Sequence, residues 1–239
     1  MDTFIIIGTV VITALVAFAV WASTDIGSGV WVKTLFYADT DRREIALTFD
    51  DGPHPEHTPL VLDVLSRHGS KATFFVTGER AAAHPEIVRR IADEGHAIGN
   101  HTQHHSSWFP LKSARAMARE IEECDEVIEK ITGTRPEMFR PPFGVTNPSL
   151  ARALKLVNKA REARGEAPHT VAGWNIRSLD TISQWSRGKV FERICRRLRL
   201  GSVVLLHDDR PGSEMLLAGL LIYLDEVGCK VERFDKLFL

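Results

Sequence analysis

The chain has 239 residues, 44% of them hydrophobic and 26% charged, with a formal net charge of −1. A globular composition of this length suggests one or two domains, and the near-neutral balance gives no footing for nucleic acid, which calls for a clustered basic surface. The three cysteines, Cys124, Cys195 and Cys229, are odd in number and far apart; they form neither a C-x-x-C pattern nor a disulfide framework and read as buried or free thiols.

The first predicted element is apolar. From Phe4 to Trp21 run 18 uncharged residues, FIIIGTVVITALVAFAVW, long enough for a helix to cross most of a bilayer. A cleaved signal peptide competes, since VWAS at 20–23 offers small residues for cleavage, but the start MD lacks the usual positively charged n-region. The expectation is one retained transmembrane helix in residues 1–22, a linker and lead-in over 23–44, and a single folded domain over 45–239. Lys33, Arg42 and Arg43 follow the span and no Lys or Arg precedes it. That bias favours a cytoplasmic domain, yet long domains translocate largely regardless of such charges, so orientation stays open.

Beyond residue 44, short β-rich runs alternate with helical patterns. Strands are expected at 45–50, 71–77, 96–100, 137–140, 169–176, 202–207 and 230–234. Helices are expected at 59–68, 85–94, 113–131, 148–164, 187–199 and 213–227. The first two stop at Gly69 and Gly95, natural C-terminal caps, and the second opens on Pro85. The third carries Met117, Ile121, Cys124, Ile128 and Ile131 at three- and four-residue steps against an acidic outer face. This rhythm implies a parallel sheet covered by helices, either a (β/α) barrel or an open doubly wound sheet. No G-x-G-x-x-G follows the first strand, so a dinucleotide fold has no support.

Every polar cluster falls where a predicted strand ends: Asp50 and Asp51, NHTQHH at 100–105, RPPFG at 140–144, WNIRSLD at 174–180 and LLHDD at 205–209. In a parallel barrel those ends meet on one rim, where catalytic residues gather. Asp51-Gly52 alone reads equally well as a hairpin turn. At a strand's last residue, however, the pleat gives way to a loop, and both aspartates can turn toward one centre. His101 and His105, four residues apart, together with Asp51 make a three-ligand set with an open position, as in catalytic zinc sites. His104 faces elsewhere, His54 and His57 read as loop positions, and His68, His84, His96 and His169 read as structural.

The ordered motifs TFDDG, NHTQHH, RPPFG and LLHD resemble the signature of the polysaccharide deacetylases, carbohydrate esterase family four, from about Ile45 to the C-terminus. The resemblance implies a deformed (β/α) barrel, here of about seven parallel strands. It implies a divalent metal, zinc or else cobalt, on Asp51, His101 and His105. Asp50 would be the general base, oriented by Arg140. The backbone N–H of Phe143 would serve the oxyanion, while Trp174 and Leu205 would line the pocket for the acetyl methyl. His207 would be the general acid, its proton affinity raised by Asp180. Where the family often has tryptophan after that aspartate this chain has Thr181, which leaves the chemistry intact and puts the substrate in doubt.

The implied activity is metal-dependent removal of N-acetyl groups from amino sugars of a cell-wall or surface glycan. The enzyme would be held in the cytoplasmic membrane by residues 4–21 as a single-pass protein, with its domain outside. An O-acetyl esterase, a small-amide hydrolase and a non-catalytic membrane-anchored glycan-binding module remain as alternatives.

Overall fold

A computed structural model describes residues 2–239. The elements in chain order are α1 (Asp2–Thr24), β1 (Glu44–Asp50), α2 (His57–Arg67), β2 (Thr73–Val76), α3 (Gly78–Ala83), α4 (Pro85–Asp93), β3 (Ala97–Asn100), α5 (Ala114–Thr132), β4 (Met138–Phe139), α6 (Pro148–Ala163), β5 (Thr170–Val171), β6 (Ile176–Arg177), α7 (Arg187–Arg197), β7 (Val203–His207), α8 (Ser213–Glu226), β8 (Lys230–Glu232) and α9 (Phe234–Leu237). Side-chain caps open α5, α6 and α7. Ser113 accepts from the Ala116 N–H to open α5, Asn147 does the same for Leu150 in α6, and Gly133 at φ 75° closes α5.

The strands form one parallel sheet in the order β5-β4-β3-β2-β1-β7-β6, with β8 pairing beside the start of β1. Consecutive strands β5 and β6 thus lie at opposite edges, and the sheet is a curled half-barrel rather than a closed one. The lead-in lies along the open side, bridging Leu35 to Ala172 and Tyr37 to Ser202. Ile26, Thr34 and Ala38 of this segment are buried, as is Ala22 in the last turn of α1.

Alternation along the strands decides which residues face the interior. Ile45, Leu47 and Phe49 of β1, and Val204 and Leu206 of β7, join the apolar layer under the helices. Ala46, Val203, Phe75, Ala97 and Met138 form a smaller core inside the curl, closed by Phe234 of α9. Continuing that inward face to the strand ends brings Asp50, His101, Arg140 and His207 toward one rim.

Two expectations need correction. The run 169–176 is two strands, β5 and β6, separated at Ala172–Asn175. The carbonyls of Ala172 and Gly173 turn to accept from the Arg140 guanidinium, at 3.3 and 3.0 Å, so the sheet ladder breaks there. The acidic face of α5 is not wholly outward: Glu120 and Asp125 are buried, Asp125 completely, because each meets a cationic partner. The short helices α3 and α9 are additions to the expected set.

Candidate active site

Asp50 is the last residue of β1 and Asp51 the first beyond it, at φ 73° in the left-handed region. That turn lets neighbouring side chains serve one site despite the alternation of the strand. Asp51, Thr102, His105, Phe143 and Leu179 are the non-glycine residues with positive φ among the described residues. All lie in loops at the C-terminal ends of strands. Such conformations cost about 1–3 kcal/mol each and persist only where the surroundings impose them. Arg80 imposes one, donating to the Asp51 carbonyl at 2.7 Å while its guanidinium rests on Asp209 at 3.1 Å.

Among the described residues, Asp51, His101 and His105 form a group able to hold a metal ion, with donor atoms all within 4.8 Å of one another. Asp51 Oδ1 lies 3.5 Å from His101 Nε2 and 3.4 Å from His105 Nε2. This oxygen is buried with no hydrogen-bond partner, an orphaned state that a bound cation would relieve. His101 Nδ1–H donates to the Arg140 carbonyl at 2.7 Å, which leaves the Nε2 lone pair facing Asp51. One carboxylate and two imidazoles leave a coordination position open, and this donor set suits zinc.

Burial alone would raise the Asp51 pKa, but the imidazoles that surround it, His101 foremost and then His105 and His207, hold it well below the usual carboxylate range. Burial, reinforced by His101, lowers His105 to about 4. A deprotonated carboxylate and a neutral imidazole are the forms that coordinate metals.

Two charged pairs flank this group. On one side Arg140 Nη1 binds Asp50 Oδ1 at 2.6 Å and Thr48 Oγ1 at 2.8 Å, with its guanidinium 4.0 Å over the Phe75 ring. Both Asp50 and Arg140 are buried, and Asp50 Oδ2 is left 3.7 Å from His101 Nε2. On the other side Asp180 accepts from His207 twice, from Nδ1 and from the backbone N–H, each at 2.8 Å. His207 Nε2 points across the site to Asp51 Oδ2 at 3.9 Å. Burial works against protonation of His207, but the Asp180 hydrogen bond and charge outweigh it and raise the pKa to about 9. Asp50 and His207 are register partners on the adjacent strands β1 and β7, so sheet pairing itself sets them side by side.

Phe143 stands at φ 60° with its ring 4.8 Å from that of His105. The next residue is Gly144, at φ 70°, where a Cβ would come within 2.5 Å of the Trp174 ring; only glycine lets these two segments meet. Leu205 is buried on the inward face of β7, in register with Thr48. His104 is exposed and bonds Glu120 at 3.2 Å, away from the metal-binding group. His54 and His57 stack on each other at 4.4 Å. A cavity of about 570 Å³, bordered by His96, Met138 and Phe234, lies at the opposite end of the sheet and touches none of the site residues.

The sequence reading passed over the supports. Asn100 Nδ2 donates to Asp125 and to the Ile121 carbonyl, and its Oδ1 accepts from the Thr102 N–H, all at 2.7 Å. Thr102 Oγ1 in turn accepts from the His105 N–H at 3.1 Å. Asp208 is buried and accepts from Thr58 Oγ1 at 2.5 Å; a Cβ on Gly52 would strike its carboxylate at 2.3 Å. The doubled aspartate of LLHDD was the available signal for Asp208. The partners of Asn100 are remote in sequence and gave none.

A family model for polysaccharide deacetylase matches residues 37–160. The chain is 36% identical over 200 residues to a peptidoglycan-N-acetylglucosamine deacetylase of Bacillus cereus, covering 82% of this chain and 67% of the relative. Among solved structures it is similar to the Bc1960 peptidoglycan N-acetylglucosamine deacetylase, with a TM-score of 0.75 and 31% identity over 85% of this chain and 91% of that one. It is also similar to a family 4 acetyl xylan esterase from Clostridium thermocellum solved with a cobalt ion, with a TM-score of 0.71 and 30% identity over 82% and 90% of the two chains. A curled parallel sheet with an Asp-His-His group on its rim defines a metal-dependent carbohydrate deacetylase, and the chain belongs to the polysaccharide deacetylase family.

Proposed function

We propose that the protein removes the N-acetyl group from N-acetylglucosamine residues of peptidoglycan, with Asp50 as base and His207 as acid. The observation that carries this reading is the orphaned Asp51 Oδ1, faced by two imidazole Nε2 atoms and flanked by the Asp50–Arg140 and His207–Asp180 pairs. A divalent metal held by Asp51, His101 and His105, zinc in our reading, supplies Lewis acidity to water and to the amide carbonyl when bound. Asp50 Oδ2, free of the arginine, takes the proton from the attacking water. Arg140 keeps the other oxygen fixed. The Phe143 N–H donates to the oxyanion that forms on the carbonyl, an interaction of the kind worth about 3 kcal/mol. His207 Nε2–H then protonates the departing nitrogen, the C–N bond breaks, and acetate and a free amine leave. Trp174 and Leu205 border the space for the acetyl methyl.

The site lies on an open rim, which suits a polymer passing across it. The choice of peptidoglycan rests on similarity to the Bacillus cereus relative. We place the protein in the cytoplasmic membrane through residues 4–21, with its domain outside, where that polymer lies. Within Thr3–Thr24 an 18-residue stretch has a mean hydropathy of 2.6 and none of it is buried. The likeness to an acetyl xylan esterase supports a second reading, O-deacetylation on the same scaffold.

Acetate release from peptidoglycan, N-acetylglucosamine oligomers and O-acetylated xylan by the full chain in detergent separates the two. Release from the amide substrates, abolished by chelation and restored by zinc, is expected. Release from xylan alone would overturn the assignment in favour of the ester.

A further inference from the structure

We infer that the catalytic rim is itself a membrane contact, with Trp108 and Leu111 seated in the interface of the same bilayer that α1 crosses. The inference rests on the reading of α1 as a membrane anchor and goes beyond it, because an anchor alone leaves the domain free to face any direction.

The joint between anchor and domain leaves little such freedom. Ala22 is fully buried. Its carbonyl accepts from Ser28 Oγ at 2.9 Å and from Thr146 Oγ1 at 3.4 Å, and the Ser23 carbonyl accepts from the Thr146 N–H at 3.0 Å. Trp31 Nε1–H adds a bond to Ser23 Oγ at 3.2 Å. Thr146 stands three residues after Phe143, in the loop that follows β4, so the helix end docks on the catalytic rim. From Thr3 to Trp21 no residue of α1 is buried. The bilayer therefore begins within about one helical turn, roughly 5 Å, of the docked residues.

The rim beside this joint is apolar. Asn147, the neighbour of Thr146, donates from Nδ2 to the Pro110 carbonyl at 2.7 Å and so ties the loop 106–112 to the same corner. Phe109 roots that loop in a core that Val32 of the lead-in also joins. On either side of it Trp108 is 69% and Leu111 77% exposed. Trp21 and Val30, beside the helix exit, are also exposed. Exposed apolar groups clustered at one edge mark a contact surface. Tryptophan in particular collects at the level of lipid headgroups, where its ring is apolar and its N–H is wet. A lipid surface fits this corner because the span that enters it is hydrogen-bonded to the same two-residue segment, Thr146–Asn147. Held this way, the cleft opens at the bilayer surface, and the sugars within reach belong to glycan lying against the membrane.

The test uses the full chain carrying Cys195→Ser in phosphatidylcholine–phosphatidylglycerol nanodiscs that contain a lipid with a nitroxide near its headgroup, which reads positions 108, 111 and 230, or, in a parallel preparation, on its acyl chain, which reads position 10. A fluorophore is attached in turn at Leu111→Cys, at Val10→Cys within α1, and at Lys230→Cys at the opposite end of the sheet. Quenching of about twofold or more is expected at 111 and at 10, and none at 230. The same label on Trp108→Cys repeats the measurement should the 111 variant not fold. Quenching at 10 with positions 108 and 111 as bright as 230 overturns the inference and leaves the anchor standing. The exposed pair would then be a platform for glycan. A bright label at 10 overturns the anchor and the rim contact together.

Discussion

Replacing Arg140 tests the logic of the site most directly, because it is a fully buried cation whose charge is answered by Asp50. Arg140→Met keeps much of the volume and removes the charge, leaving the Asp50 carboxylate buried without its partner. Breaking a buried pair in this way costs about 3–5 kcal/mol. A chain of this size loses about 2–4 °C of Tm per kcal/mol, so the expected fall is on the order of 10 °C. Arg140→Lys keeps the charge but not the planar fork that reaches Asp50, Thr48 and the carbonyls of Ala172 and Gly173 at once. Its Tm should fall less, while turnover still drops about 100-fold because Asp50 is no longer held in place. Thermal melts and acetate release on the same preparations separate the two effects. A methionine variant melting within about 2 °C of wild type with turnover intact would refute the argument that Arg140 holds the base.

Three further outcomes are expected. Asp50→Asn should lose about 10²–10⁴-fold in turnover with metal content retained, whereas Asp51→Ala should lose metal and activity together and recover partly in excess zinc; equal metal loss in both would show the division of labour to be wrong. Asp180→Asn should bring His207 down from about 9, since burial is then opposed only by the charges of Asp50 and Asp51, as read by NMR titration of the metal-free protein. The His207–Asp180 pair favours the charged imidazole, so its contribution to stability is fully present below pH 6.5 and is lost as pH rises through about 9; in the variant that alkaline loss should shrink in melts across this range. Asn100→Ala should weaken zinc binding about 10–100-fold by calorimetry, because Thr102 and His105 lose the amide that fixes their turn; unchanged affinity would count against that support.

The alternation of β-rich runs with helical patterns was legible, and with it a parallel sheet whose strand ends share one rim. So was the gathering of polar clusters at strand ends, since hydrophobic runs mark where strands stop. The break between β5 and β6 was not, because it depends on Arg140 reaching across from β4 to take two carbonyls out of the ladder. The burial of Asp125 was equally hidden. Its partners Asn100, Arg161 and His169 come from three other parts of the chain, and helical periodicity assigns a carboxylate to water unless a partner is known. The left-handed residues of the rim also escaped: threonine, phenylalanine and leucine seldom adopt positive φ, aspartate and histidine do so more often but still rarely, and tertiary contacts impose it here.

The register of β1 against β7 carries a consequence for how the protein is made. Thr48 and Val204 meet across 156 residues of sequence, and β8, later still, pairs beside the start of β1. At roughly 5–20 residues per second, a ribosome needs about 10–30 s between synthesising the first aspartates and the strand that bears His207. During that interval β1 has only its β2 side satisfied, and the chain holds Asp50 and the Asp51–His101–His105 group with no His207 opposite them. Non-local pairing of this kind also folds slowly, because loop closure precedes any gain from contact. On the roles proposed for Asp50 and His207, hydrolysis therefore waits until β7 has been made and has paired with β1.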